Sequence, residues 1–185
     1  MMRAPVGVIH GRFQVFHSDH LRYLLAGKSR CDLLVVGITN PDPTLTRFDP
    51  SAPERSLPGR NPLTYFERYL LVWAAMRAEG IGADELAVVP FPVNFPELYG
   101  YYVPLDAVFY LTIYDEWGRR KRALFEERGL RTEVLWERLP EEKGIASTEV
   151  RRRMVHGESW EQLMPPVCAD LMRRWDVPRR LRADG

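Results

Sequence analysis

Residues 5–20 read PVGVIHGRFQVFHSDH, and the change of pattern inside this stretch decides the fold. The run 5–9 has the length and the valine and isoleucine content of a buried strand, and Gly11 ends it. From Ser18 the apolar residues take helical spacing, with Leu21, Leu24 and Leu25 on one face and Ser18 or Asp19 available as the N-cap. Strand, glycine-bearing loop and helix follow one another, which is the opening of an α/β unit.

Working outward, 32–39 (DLLVVGIT) is nearly continuous apolar sequence, as a parallel strand covered on both faces requires. Residues 40–63 carry six prolines and read as a long surface loop. A helix over 64–79 opens with a capping box, Thr64 with Glu67, and offers Leu70, Leu71, Ala74 and Trp73 as its inner face. Strands follow at 86–91, 106–113 and 132–136, with a helix at 118–128 capped by Gly129. Two helices close the chain, opening at Ser147 and at Ser159, where Ser159 and Gln162 form another capping box. This alternation predicts a doubly wound parallel α/β sheet of about five strands with C-terminal helices, and ligands beyond the carboxyl ends of the strands.

The 185 residues suit one domain over 1–185. A formal charge of +1 argues against coating by nucleic acid or an anionic membrane, so a small partner is expected. Lysine occurs only at 28, 121 and 143, and arginine supplies the other positive charges. Cys31 and Cys168 are isolated, without metal or disulfide spacing. The N-terminus lacks a signal-peptide core and no apolar run approaches the ~20 residues of a membrane span, so a cytoplasmic protein is expected.

Two segments carry chemistry. His17 and His20 are three apart where the first loop meets its helix, so both imidazoles lie on one side of a helix start whose unpaired N–H groups and dipole favour an anion. The second segment, 144–151 (GIASTEVR), places hydroxyls at the opening of another helix, with Arg151 one turn further on. Each alone reads more readily as ordinary capping; the pair reads as a phosphate site.

GRFQVFH with His20, and GIASTEVRRRM, resemble the HxGH and ISSTxxR signatures of the nucleotidyltransferase superfamily, and most of all the archaeal-type nicotinamide mononucleotide adenylyltransferases. NPLTYFER (61–68), ALFEERG (123–129) and RRRMVHGESWEQLMP (151–165) extend the resemblance over nearly the whole chain. It implies a Rossmann-like nucleotidyltransferase fold and a homo-oligomer. Arg12, His17 and His20 would meet a triphosphate, with Ser147, Thr148 and Arg151 at its β and γ end, and Gly11, Phe13, Gln14, Asp19 and Ile145 completing the nucleotide site. Magnesium would be bridged by phosphate oxygens, with no metal cage built by the protein.

Departures from the family lie around the acceptor and the base. Asp19 replaces the glycine of HxGH and could accept from a base or ribose, or cap the helix. His10 brings a third imidazole to the strand end. Tyr99 aligns with the tryptophan that stacks on nicotinamide, 111–122 is longer and bulkier than the family's turn, and the 40–63 loop adds Arg47, Arg55 and Arg60 beside Asn40. Arginine forks suit a small, highly charged acceptor. The reading favoured is transfer of CMP from CTP, with AMP from ATP second, to a small phosphonate or phosphate. The alternatives are NAD synthesis from ATP and the mononucleotide, and a nucleotide-binding regulator without catalysis.

Overall fold

The computed structural model describes residues 3–46, 61–142 and 144–183. β1 (Ala4–Gly11) runs through a loop into α1 (Ser18–Lys28) and β2 (Cys31–Ile38). α2 (Tyr65–Ala78) leads to β3 (Leu86–Pro90), and a 3-10 segment (Pro96–Tyr101) to β4 (Val108–Ile113). α3 (Glu116–Glu127), β5 (Arg131–Glu137), α4 (Ser147–His156), α5 (Pro166–Arg174) and α6 (Val177–Ala183) complete the order.

The five strands form one sheet in the order β3-β2-β1-β4-β5, and every pairing is parallel. The direction of winding reverses between β1 and β4, so the crevice expected at a doubly wound sheet's switch point opens where β1 ends.

Alternation along each strand feeds two apolar layers. Ile9, Leu34, Val36 and Tyr110 pack with α1, α2, α4 and α5 through Leu24, Leu71, Val72, Val150, Met154 and Met172. Val8, Val35, Phe109 and Leu111 face the other way and pack with Phe91, Tyr99 and Phe125. Burying each of these side chains stabilises the fold by about 1.5–3 kcal/mol, and truncating one such as Leu71 to alanine costs about 2–5 kcal/mol.

The Thr64–Glu67 box closes as expected: Glu67 N–H donates to Thr64 Oγ1 at 3.2 Å and Thr64 N–H to Glu67 Oε2 at 2.8 Å. The inner face of α2 is rotated from the expected one. Arg68, Leu71, Val72, Ala75 and Met76 are buried, whereas Leu70, Ala74 and Trp73 are half-buried. The rotation follows from Arg68, which must turn inward to reach the loops, while Phe66, Tyr69 and Trp73 stack along the flank.

Two expectations at the C-terminus are corrected. No α-helix opens at Ser159: its hydroxyl donates to Gln162 Oε1 at 2.8 Å, but only a 3-10 turn (Glu161–Leu163) follows, because Pro165 and Pro166 stop propagation and the α-helix opens at Pro166. A third terminal helix, α6, was hidden by Pro178, which reads as a breaker but sits in the first turn where its missing N–H costs nothing. α6 docks through Arg180, whose guanidinium meets the Glu67 carboxylate and donates to the Pro62 carbonyl at 3.1 Å.

Candidate active site

The loop leaving β1 is held from several directions. Phe13 takes a left-handed φ of 52° and its ring folds back over Gly11, where a Cβ would come within 2.7 Å of it. The Gln14 amide pairs with Leu63 as a strand would, donating to its carbonyl at 2.8 Å and accepting its N–H at 2.9 Å. The Gln14 side chain thereby bridges to the segment ahead of α2, and the residue also lines the cavity described below.

His17 is the N-cap of α1, and its backbone N–H donates to His20 Nδ1 at 3.3 Å. With Nδ1 accepting, the proton of a neutral His20 sits on Nε2. The two imidazoles stack with centroids 3.6 Å apart, and Phe13 meets His20 edge-on at 5.1 Å.

The second signature arrives on the same place. Asp19 Oδ2 accepts the N–H of Ile145 at 2.7 Å, across 126 residues of sequence. Ser147 Oγ donates to the Val15 carbonyl at 2.9 Å, and the Arg151 guanidinium donates to the Gln14 carbonyl. Gly144 has φ +76°, and a Cβ there would stand 2.3 Å from Asp19 Oδ2. Asp19 thus accepts from backbone and ties the two loops together, while the N-cap position of α1 is held by His17.

Beneath the loops leaving β1 and β2 lies a residue that the sequence reading missed. Arg68 is 1% exposed, and its guanidinium donates to the carbonyls of Thr39 at 2.7 Å, Asn40 at 2.8 Å and Arg12 at 3.0 Å. Further bonds reach the carbonyls of Thr64 and Pro41. Burial, and then the charge of Arg12, lower its pKa to about 10, so it stays protonated at neutral pH. The signal was available: a charged residue on the apolar stripe of α2, one turn before Leu71 and Val72.

These elements enclose a cavity of about 330 Å³ at the carboxyl ends of the strands. Gly11, Arg12, Phe13, Gln14, His17, Asp19 and His20 line one wall, and Ile145, Ala146, Ser147 and Thr148 another. Asn40 and His10 line it too, as does Asn94 after β3. The far end is aromatic. Trp136 Nε1 donates to the Tyr114 hydroxyl at 2.7 Å, the Lys121 ammonium lies 4.3 Å from the Trp117 ring centroid, and Tyr23 meets Trp136 edge-on. None of these aromatic residues was singled out beforehand; the bulk of 111–122 was their only trace.

Two expected residues fall elsewhere, and three lie outside the described residues. Arg151 does not line the cavity; its guanidinium is turned to the loop backbone. Tyr99, expected to stack on an acceptor, is 2% exposed within the core. It packs against Phe91 and Phe125, its hydroxyl donates to the Val93 carbonyl at 2.5 Å, and burial pushes its phenol pKa up. Arg47, Arg55 and Arg60 lie outside the described residues.

The pattern that the cytidylyltransferase-like family describes matches residues 8–153, which hold both loops, the carboxyl half of β1 and the strands β2 to β5. The chain belongs to the cytidylyltransferase-like family. Within it, the chain is 48% identical to phosphonoformate cytidylyltransferase of Streptomyces viridochromogenes over 180 residues, 97% of either chain. It is 28% identical to nicotinamide-nucleotide adenylyltransferase of Thermococcus kodakarensis over 177 residues, covering 95% of this chain and 86% of that one. Among solved structures, the bifunctional NMN adenylyltransferase/ADP ribose pyrophosphatase of Francisella tularensis has a TM-score of 0.66 at 15% identity; the match covers 97% of this chain and 52% of that one, and speaks to the fold. The doubly wound nucleotidyltransferase fold and the enzyme class expected from residues 11–20 and 144–154 are those of this family.

Proposed function

We propose that the protein transfers CMP from CTP to the phosphonate oxygen of a small phosphonate, phosphonoformate foremost, with release of pyrophosphate. The observation that carries this reading is the 48% identity to a phosphonoformate cytidylyltransferase along 97% of both chains, in a molecule whose two phosphate-type loops are tied into one cavity.

The acceptor oxyanion attacks the α-phosphorus in line with the bond to the β-phosphate. The new phosphorus–oxygen bond forms as the old one breaks, and pyrophosphate leaves with the bonding electron pair. An acceptor already ionised needs no general base, so catalysis consists of positioning and charge neutralisation. His20 Nε2–H, His17 and Arg12 would donate to the phosphate oxygens around the reacting phosphorus. At the β and γ end, the first N–H groups of α4, which no intrahelical carbonyl can satisfy, would receive the leaving pyrophosphate with the helix dipole behind them. The aromatic end formed by Trp117, Trp136 and Tyr114 offers stacking surface for the base.

The donor set fits magnesium carried by the triphosphate. Among the described residues no group of three His, Cys, Asp or Glu side chains is arranged to cage a metal. Bound to the phosphates, the ion would supply neutralisation of their charge.

The 28% identical adenylyltransferases favour a second reading, NAD synthesis from ATP and nicotinamide mononucleotide. A pyrophosphate-release panel crossing CTP and ATP with phosphonoformate, phosphonoacetate and nicotinamide mononucleotide separates the two. Turnover is expected with CTP and a phosphonate. NAD formation, with no release from any CTP pairing, would replace the first reading by the second.

A further inference from the structure

His10 is a polar side chain placed where an apolar one would pack. Its neighbour two residues earlier on the same face of β1, Val8, lies in the core with Phe109 and Phe125. His10 continues that layer, 6% exposed, with its ring 5.4 Å from Phe91 and 5.3 Å from Phe125. Neither ring nitrogen has a hydrogen-bond partner among the described residues. A valine or phenylalanine here would satisfy the same contacts without the desolvation of two polar atoms, and buried polar atoms left so are rare in native folds. The ring borders the cavity, as does the Lys121 side chain reaching in from α3.

We propose that His10 and Lys121 form a second anion subsite that takes a carboxylate of the acceptor, distinct from the phosphonate that attacks. This rests on the transfer reading given above. Burial, and then the charge of Lys121, hold the His10 pKa well below its ordinary value, so the ring enters as a neutral donor and Lys121 brings the single compensating charge. One charge and one N–H match a carboxylate monoanion better than a phosphate dianion. His10 and Arg12 both line the cavity, one near the end of β1 and the other just beyond it. The acceptor class is a phosphonate that also carries a carboxylate.

The test compares wild type, His10→Val and Lys121→Met, using phosphonoformate and methylphosphonate, which keeps the phosphonate and lacks the carboxylate. Turnover with Mg-CTP and calorimetric binding are both measured. Wild type should prefer phosphonoformate, and each variant should lose about 10- to 100-fold in affinity for it, the scale of one hydrogen bond to a charged group. The loss should fall on KM for phosphonoformate, leaving methylphosphonate and the KM for CTP little changed. Lys121 is partly exposed on α3, so Lys121→Met carries the test even where His10→Val does not fold. A wild type that treats the two acceptors alike, or variants that keep its preference, overturns the subsite while leaving CMP transfer standing. Absence of turnover with either phosphonate overturns the transfer reading, and calorimetry still decides the subsite, since equal or absent binding of the two acceptors overturns it.

Discussion

The guanidinium of Arg68, rising from α2, holds the backbone carbonyl of Arg12 at 3.0 Å, across 56 residues of sequence. The same fork holds the carbonyls of Thr39 and Asn40, so a single buried side chain fixes the loops leaving β1 and β2 relative to each other. Arg68→Met strands at least three buried acceptors, each worth about 1–3 kcal/mol when left unsatisfied. Urea unfolding should show a loss of about 3 kcal/mol or more, with kcat reduced at least ~10-fold as the loops loosen. Arg68→Lys, which keeps the charge but not the fork, should fall between; a lysine variant equal to wild type would remove the fork from the explanation.

Asp19 and Gly144 depend on each other. Gly144→Ala demands a left-handed backbone of an L side chain, which costs about 1–2 kcal/mol, and drives a methyl group onto the Asp19 carboxylate. Asp19→Ala removes the bond to Ile145 and makes room for that methyl. The double variant should therefore be less destabilised in urea than the sum of the singles. Strict additivity would mean that the two positions do not meet.

His20 lines the cavity, and its Nδ1 is engaged by the His17 backbone, which leaves the proton of the neutral ring on Nε2. His20→Ala should lower kcat by about 10²–10³, the scale of one positioned donor to developing charge, with little change in the KM for CTP. Quench-flow or steady-state pyrophosphate release reads this directly. A rate within a few-fold of wild type would take His20 out of the chemistry.

Acid should act on the fold through His10. Its pKa is held low in the folded state by burial and by Lys121, so below about 6.5 the unfolded chain takes up a proton that the native chain refuses. That contribution to stability is fully present above pH 6.5 and falls, by at most ~1.4 kcal/mol per pH unit, as the pH drops below it. Unfolding free energies of wild type and His10→Val should run parallel above pH 7, and toward pH 5 wild type should lose stability that the variant keeps. Equal slopes in acid would show that His10 takes a proton without unfolding.

The strands, their order of alternation with helices and the two loops that meet at the cavity were legible because local signals carried them: continuous apolar runs, glycine at turns, the Thr64–Glu67 box, and histidines at a helix start. What escaped depended on contacts distant in sequence. Arg68 is a surface residue by type and acquires its role only when 12, 39 and 40 converge on it. Tyr99 aligns with a stacking position, yet the ring drops into the core because Phe91 and Phe125 leave space there. Trp117 and Trp136 come from separate elements, α3 and β5, and only the sheet brings them to one end of the cavity.

Arg68 has one more effect on the cavity above it. In a trans peptide the carbonyl and the N–H point in opposite directions, so drawing the carbonyls of Arg12 and Thr39 down onto the guanidinium turns the next amides, those of Phe13 and Asn40, the other way. Both residues take positive φ, 52° and 48°, and both line the cavity. The buried cation thereby orients two peptide dipoles with their positive ends away from itself. A substrate triphosphate would meet a field set at folding, from a charge that itself makes no contact with the ligand and needs no rearrangement when one arrives.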